Sequence, residues 1–136
     1  MDWNDIESPS LADLENLARA AFEALPAEFR ALTGNIIFRI EDFPSEEVVR
    51  DMHLESEFDI LGLFHGPRLA DEIAGHIHGH QTMIFLYRRP ILDYWAEHDD
   101  TLGEIVRHVL IHEIGHHFGL SDDDMHAIED GDLPSP

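Results

Sequence analysis

The sequence predicts an α+β domain in which a small sheet packs on a long helix. Three observations predict it. Apolar residues recur at helical spacing over residues 11–25 and again over 102–118. Runs rich in β-branched and aromatic residues stand at 35–41 and 82–88. The segments follow one another as helix, strand, helix, extended segment, strand, helix, helix, an order that suits helices gathered against a small sheet. A chain of 136 residues with 43% hydrophobic composition can bury one core, so a single domain is expected over residues 1–130, with 131–136 as a flexible tail.

The first helix is expected to start at Ser8-Pro9-Ser10, with a serine cap and an early proline. Leu11, Leu14, Leu17, Ala18, Ala21, Phe22 and Leu25 form its apolar stripe, and residues 27–32 add a short helical segment beyond Pro26. Thr33-Gly34-Asn35 reads as a turn, and Ile36, Ile37, Phe38 and Ile40 mark the first strand. Phe43-Pro44-Ser45-Glu46-Glu47 opens a helix running to about Leu54. Residues 59–64 read as a short strand or an extended loop, and 65–81 as an irregular connection. Residues 82–88 form the clearest strand, ended by Arg89-Pro90 and expected at the sheet edge above a cleft. A helix over 91–97 follows, and Thr101 then caps the longest helix. After Asp122 the chain is acidic and short, and a solvated turn is the opposing reading of the Asp run to one that supplies a ligand.

That longest helix carries His112-Glu113-Ile114-Gly115-His116-His117-Phe118-Gly119-Leu120-Ser121-Asp122, an H-E-x-x-H-x-x-G-x-x-D pattern. Positions four apart share a helix face, so His112 and His116 can present two imidazoles to one metal ion. Glu113 stands where a carboxylate reaches a water at that ion and acts as general base. Gly119 can end the helix in the left-handed conformation. Asp122 then falls where the returning chain supplies a third ligand, with Asp123, Asp124 and Glu129 as alternatives. Two histidines, a carboxylate and an open position describe a catalytic site for one zinc ion. The motif interrupts an apolar helix, where unsatisfied polar groups are costly. Gly115 inside that helix costs roughly 1 kcal/mol relative to alanine, which room near a metal or close helix packing would explain.

Other polar residues read as supporting ones. Tyr87, Tyr94 and His117 are expected to be structural rather than donors to an oxyanion. His108, one turn before His112, is expected to pack or to support hydrogen bonds. His76, His78 and His80 alternate in Gly75-His76-Ile77-His78-Gly79-His80 and read as a solvated loop near the cleft rather than a second metal site.

Composition narrows the classes. Eight basic residues against 29 acidic ones, a formal net charge of -21, oppose binding to nucleic-acid phosphates or anionic membranes. With no cysteine, any metal must be held by His, Asp and Glu. No stretch is apolar enough to span a membrane, and residues 1–8 lack a secretory pattern, so a cytoplasmic location is expected.

The motif helix, together with Leu61-Gly62-Leu63-Phe64-His65-Gly66 and Ile84-Phe85-Leu86-Tyr87-Arg88-Arg89-Pro90-Ile91, resembles the small bacterial zincin-like family, the minimal zincins. The likeness spans roughly residues 60–125, and its ligand spacing is similar to that of metzincins. The resemblance implies a minimal zincin fold with a small mixed sheet, His112 and His116 as zinc ligands and Glu113 as the catalytic carboxylate. The function expected is zinc-dependent hydrolysis of a peptide or unfolded protein segment. Two alternatives stand beside it: a metal-binding or interaction module without turnover on the same scaffold, and an acidic protein that covers a basic partner.

Overall fold

The computed structural model describes residues 2–66 and 82–130. Among them the chain forms α1 (Leu11–Glu23), α2 (Ala27–Ala31), β1 (Ile36–Glu41), α3 (Glu46–Asp51), β2 (Gly62–His65), β3 (Thr82–Tyr87), α4 (Arg88–Glu97), α5 (Leu102–His117) and α6 (Asp122–Glu129). The architecture is α+β, as the order of apolar patterns predicts. His76, His78 and His80, and the expected tail at 131–136, lie outside the described residues.

Local chemistry sets the helix starts. The Ser10 hydroxyl accepts from the Asp13 N–H at 3.0 Å, and the Asp13 carboxylate accepts from the Ser10 N–H at 2.9 Å. This reciprocal capping box places Pro9 before the cap rather than inside the helix. Thr101 and Glu104 form the same box at α5. Arg88, expected to end a strand, opens α4 instead. Pro90 falls in the first turn, where a missing N–H costs no helix bond, so β3 passes straight into α4. The Arg88 guanidinium then ties down the N-terminal segment, donating to the Pro9 carbonyl at 2.6 Å and to the Ser8 hydroxyl at 2.9 Å.

The sheet has the order β1-β3-β2, with β1 parallel and β2 antiparallel to β3. The strand ending at Tyr87 is therefore central, which corrects the expectation that it forms an edge. Its inward residues Ile84 and Leu86 are fully buried, as a strand with neighbours on both sides requires. Among the described residues the outer strands are β1 and β2. Phe38, Ile84 and Phe64 stand in register across the three strands, and all three are buried. The next such row is Ile40, Leu86 and Gly62.

Helices cover these rows: α1 packs on β1 and on α5, and α5 packs on β2. A Cβ at Gly62 would stand 2.7 Å from Val109 Cγ1 and 2.9 Å from the Phe85 carbonyl oxygen. Glycine there lets α5 approach the strand at a distance no side chain would allow. The core of α5 comprises Ile105, Val106, Val109, Leu110, Ile111 and Ile114, all buried.

The segment after the motif departs most from expectation. Gly119, at φ +77°, ends α5. The Leu120 N–H bonds the Gly115 carbonyl at 2.9 Å and the Gly119 N–H bonds that of His116 at 3.2 Å, the paired bonds of a Schellman turn. Asp122, Asp123 and Asp124 are the first turn of a further helix, capped by Ser121 and Asp124. Three carboxylates suit that position, where the helix dipole is positive. α6 folds back directly after a short turn. Its Met125 is fully buried against Gly115.

Candidate metal centre

Helical spacing makes a ladder of three imidazoles along α5. The His108 and His112 rings lie 4.0 Å apart between centroids, and the His112 and His116 rings 5.8 Å apart and perpendicular. Helix α6 packs beside this ladder and brings a carboxylate to each end. Asp122 Oδ1 lies 3.9 Å from His116 Nε2. Glu129 Oε1 lies 3.4 Å from His112 Nε2 and contacts His108 Nδ1. The two ends differ in exposure. The His116 and Asp122 side chains are 62% and 82% exposed, against 21% for His112 and 19% for Glu129. Asp123 is exposed and Asp124 is half-buried, its carboxylate accepting from the Ser121 N–H.

The Arg107 guanidinium holds the end of α6, donating to the Glu129 carbonyl at 2.6 Å and to the Ile128 carbonyl at 2.7 Å. These are carbonyls of the last helical turn, which lack partners within a helix. Arg107 thereby fixes the backbone from which Glu129 projects. His126, also on α6, has its ring 6.3 Å from that of His112.

Glu113 turns the other way from Glu129, towards the sheet. The backbone N–H of Phe64 on β2 acts on its carboxylate. Burial raises its pKa above the ordinary carboxylate value, while the Phe64 N–H and the nearby His116 oppose the rise. His112 is shifted downward, first by burial and then by the neighbouring His108, with Glu129 pulling the other way. A neutral imidazole is the form that ligates metals. Tyr87 is buried and its phenol is pushed up to about 12, chiefly by burial and then by Glu41 and Glu113. Tyr94 is half-exposed and stacks on His98 at 3.7 Å. His117 packs on Phe64 with ring centroids 4.2 Å apart.

One buried atom tests whether these residues fit a metal. Among the described residues, His112 Nε2 is the only buried side-chain nitrogen or oxygen without a hydrogen-bond partner. Leaving such an atom unsatisfied costs about 1–3 kcal/mol. It stands among imidazole nitrogens and carboxylate oxygens, the donor set that zinc accepts when no thiolate is present. One ligand atom each from His108, His112 and Glu129 lie within 4.8 Å of one another. The residues therefore fit a zinc-class ion.

Sequence reasoning kept Glu129 only as an alternative third ligand and gave His108 a packing or supporting role, and it did not bring the two together. The signals were present: His108 is four residues before His112, and Ser121-x-x-Asp124 followed by Met125 and Ile128 is a helix start with an apolar stripe.

No curated protein matches the chain closely enough to count as a relative. A family model, zincin-like metallopeptidase, matches residues 33–132, a stretch that holds the whole sheet, the motif helix and α6. With that match over most of its length, the chain belongs to the zincin-like metallopeptidase family.

Proposed function

We propose that the protein is a zinc-dependent peptidase in which His112, His116 and Asp122 hold one ion and Glu113 is the general base. The observation that carries this reading is Glu113. It follows directly on His112, whose Nε2 is buried without a hydrogen-bond partner, and its own side chain is half-buried beside an outer strand. When bound, zinc would polarise a substrate carbonyl and lower the pKa of water towards about 7.

The chain's own residues do the rest. Burial holds the Glu113 carboxyl above its ordinary range, which favours both taking and returning a proton near neutral pH. Glu113 takes a proton from the attacking water as its oxygen bonds the carbonyl carbon. The same proton passes to the leaving nitrogen as the C–N bond breaks. The Phe64 N–H orients the carboxylate. The register with β3 turns that N–H away from β3, so the side of β2 that is unpaired among the described residues runs beside Glu113. An extended peptide that adds to this edge as one more strand would bring its carbonyl to the site. The substrate class is accordingly a peptide or an unfolded segment.

Cleavage of a peptide library by zinc-loaded wild type and Glu113→Gln tests the assignment. Glutamine keeps the acceptor for Phe64 but cannot carry the proton. A loss of about 100-fold or more in turnover is expected, the usual scale of general-base catalysis. Equal cleavage by both proteins at equal metal content would remove Glu113 from the mechanism. The same comparison separates a peptidase from a metal-binding module without turnover.

A further inference from the structure

We infer that α5 and α6 carry a second metal register, one helical turn before the H-E-x-x-H pair, in which His108, His112 and Glu129 bind a zinc-class divalent ion. It shares His112 with the proposed catalytic set of His112, His116 and Asp122, so the two registers exclude each other.

The geometry of the helix pair carries this. Residues 108, 112 and 116 stand at successive turns of one helix face, and α6 runs back along that face. Its two ends deliver different carboxylates to different rungs. Asp122 meets His116, while Glu129 contacts His108 and lies 3.4 Å from His112 Nε2. His108, His112 and Glu129 already bring their ligand atoms within 4.8 Å of one another. An ion about 2.0–2.2 Å from each of three such atoms needs only small side-chain adjustments. The unpartnered His112 Nε2 belongs to this group and is the atom both registers require. Arg107 supports the register from behind by fixing the backbone of Glu129.

The second register also differs in chemistry. Glu113 faces the Phe64 backbone on the strand side of α5, whereas Glu129 reaches the ladder from α6. A cleft of about 430 Å³ opens beside His108 and Glu129 and is lined further by Tyr94, Arg107 and three carboxylates, Asp100, Glu104 and Asp130. The ion there is reached from solvent through an acidic mouth. The register is a holding position for the metal, from which transfer to His116 and Asp122 requires only that His112 exchange one set of partners for the other.

Cobalt(II) is the probe, because its absorption reports the ligand set without any turnover. Titrations followed by absorption and by calorimetry would compare wild type, His112→Ala, His116→Ala, and His116→Ala combined with His108→Ala or with Glu129→Gln. His116 is largely exposed, so its replacement leaves the core intact. The expected result is that His116→Ala still binds one equivalent, within about tenfold of wild type, with an altered spectrum. Adding His108→Ala or Glu129→Gln should then weaken binding by a further 100-fold or so, as should His112→Ala alone. If His116→Ala loses the ion as completely as His112→Ala, the second register does not exist. If it keeps the ion but neither further substitution matters, the ligands have been misassigned and the inference falls. These outcomes are independent of whether Glu113→Gln cleaves peptides, so the peptidase reading and this one can fail separately.

Discussion

Replacing Gly115 by alanine tests how the two site-bearing helices are held together. Within an isolated helix the change would stabilise by about 1 kcal/mol, because glycine is the poorer helix former. Here the new Cβ would stand 2.5 Å from Met125 Sδ and 2.9 Å from Met125 Cγ. Met125 is fully buried, so its thioether has no free space to swing into. Overpacking of this kind costs about 1–3 kcal/mol. The net expectation is a loss of about 1 kcal/mol, or roughly 4 °C in Tm for a domain of this size. Met125→Ala alone should cost about 2–5 kcal/mol through the cavity it leaves. In that background Gly115→Ala should become stabilising by its helix propensity of about 1 kcal/mol. The double-mutant cycle should therefore show a coupling of about 1–3 kcal/mol. Urea denaturation of the four metal-free proteins measures every corner. If Gly115→Ala stabilises wild type as much as it stabilises the Met125→Ala protein, Met125 does not press on Gly115 and the close helix pairing is wrong. The same substitution should also weaken cobalt binding, because pushing α6 outward moves Asp122 and Glu129 together.

Four further outcomes are expected. Gly62→Ala should cost about 3 kcal/mol, since its Cβ would collide with a backbone carbonyl as well as with Val109; a loss below about 0.5 kcal/mol in denaturant melts would contradict the approach of α5 to β2. Arg107→Met should cost about 2 kcal/mol by releasing two carbonyls of α6, with faster amide exchange in α6 as the local readout and unchanged α6 exchange as the contrary one. Glu113→Gln should help the metal-free fold more as pH rises: a raised carboxyl pKa contributes stability below the unfolded value of about 4.3 and loses it as pH climbs through the folded value, so a melting difference flat from pH 4 to 7 would argue against burial as the cause. His112 runs the other way. Its depressed pKa means that metal-free protein loses stability as pH falls below about 6.5, and His112→Gln should flatten that acid slope in parallel melts.

The first part of the site was legible because it is a matter of spacing along one helix. His112, Glu113 and His116 acquire their relation from 3.6 residues per turn, and Thr101 and Gly119 mark the two ends of that helix in the sequence itself. The strands were legible for the same kind of reason, from runs such as Ile36-Ile37-Phe38 and Ile84-Phe85-Leu86. Strand order was not. Whether β3 is central or an edge depends on β1 and β2 arriving on either side of it, and no residue of β3 encodes which neighbours come. The purpose of Gly115 was undecided for a related reason, since room near a metal and room for a packed side chain leave the same letter in the sequence.

The acidic run at Asp122-Asp123-Asp124 shows where composition misleads and local pattern does not. Three consecutive carboxylates suggest a solvated turn, yet the same residues are favourable in the first turn of a helix, where unpaired N–H groups attract negative charge. Ser121 and Asp124 complete the cap, and Met125 and Ile128 supply the buried stripe. Once that helix is in place the site changes character. Along α5 the three imidazoles are equivalent by spacing, and nothing in their positions says which carboxylate each will meet. The antiparallel return of α6 breaks that equivalence, setting an exposed aspartate beside His116 and a half-buried glutamate beside His108 and His112. On the proposed reading the choice of metal ligands is a property of the helix pair, and the residues that fix the pair, Gly115, Met125 and Arg107, would control the metal without touching it.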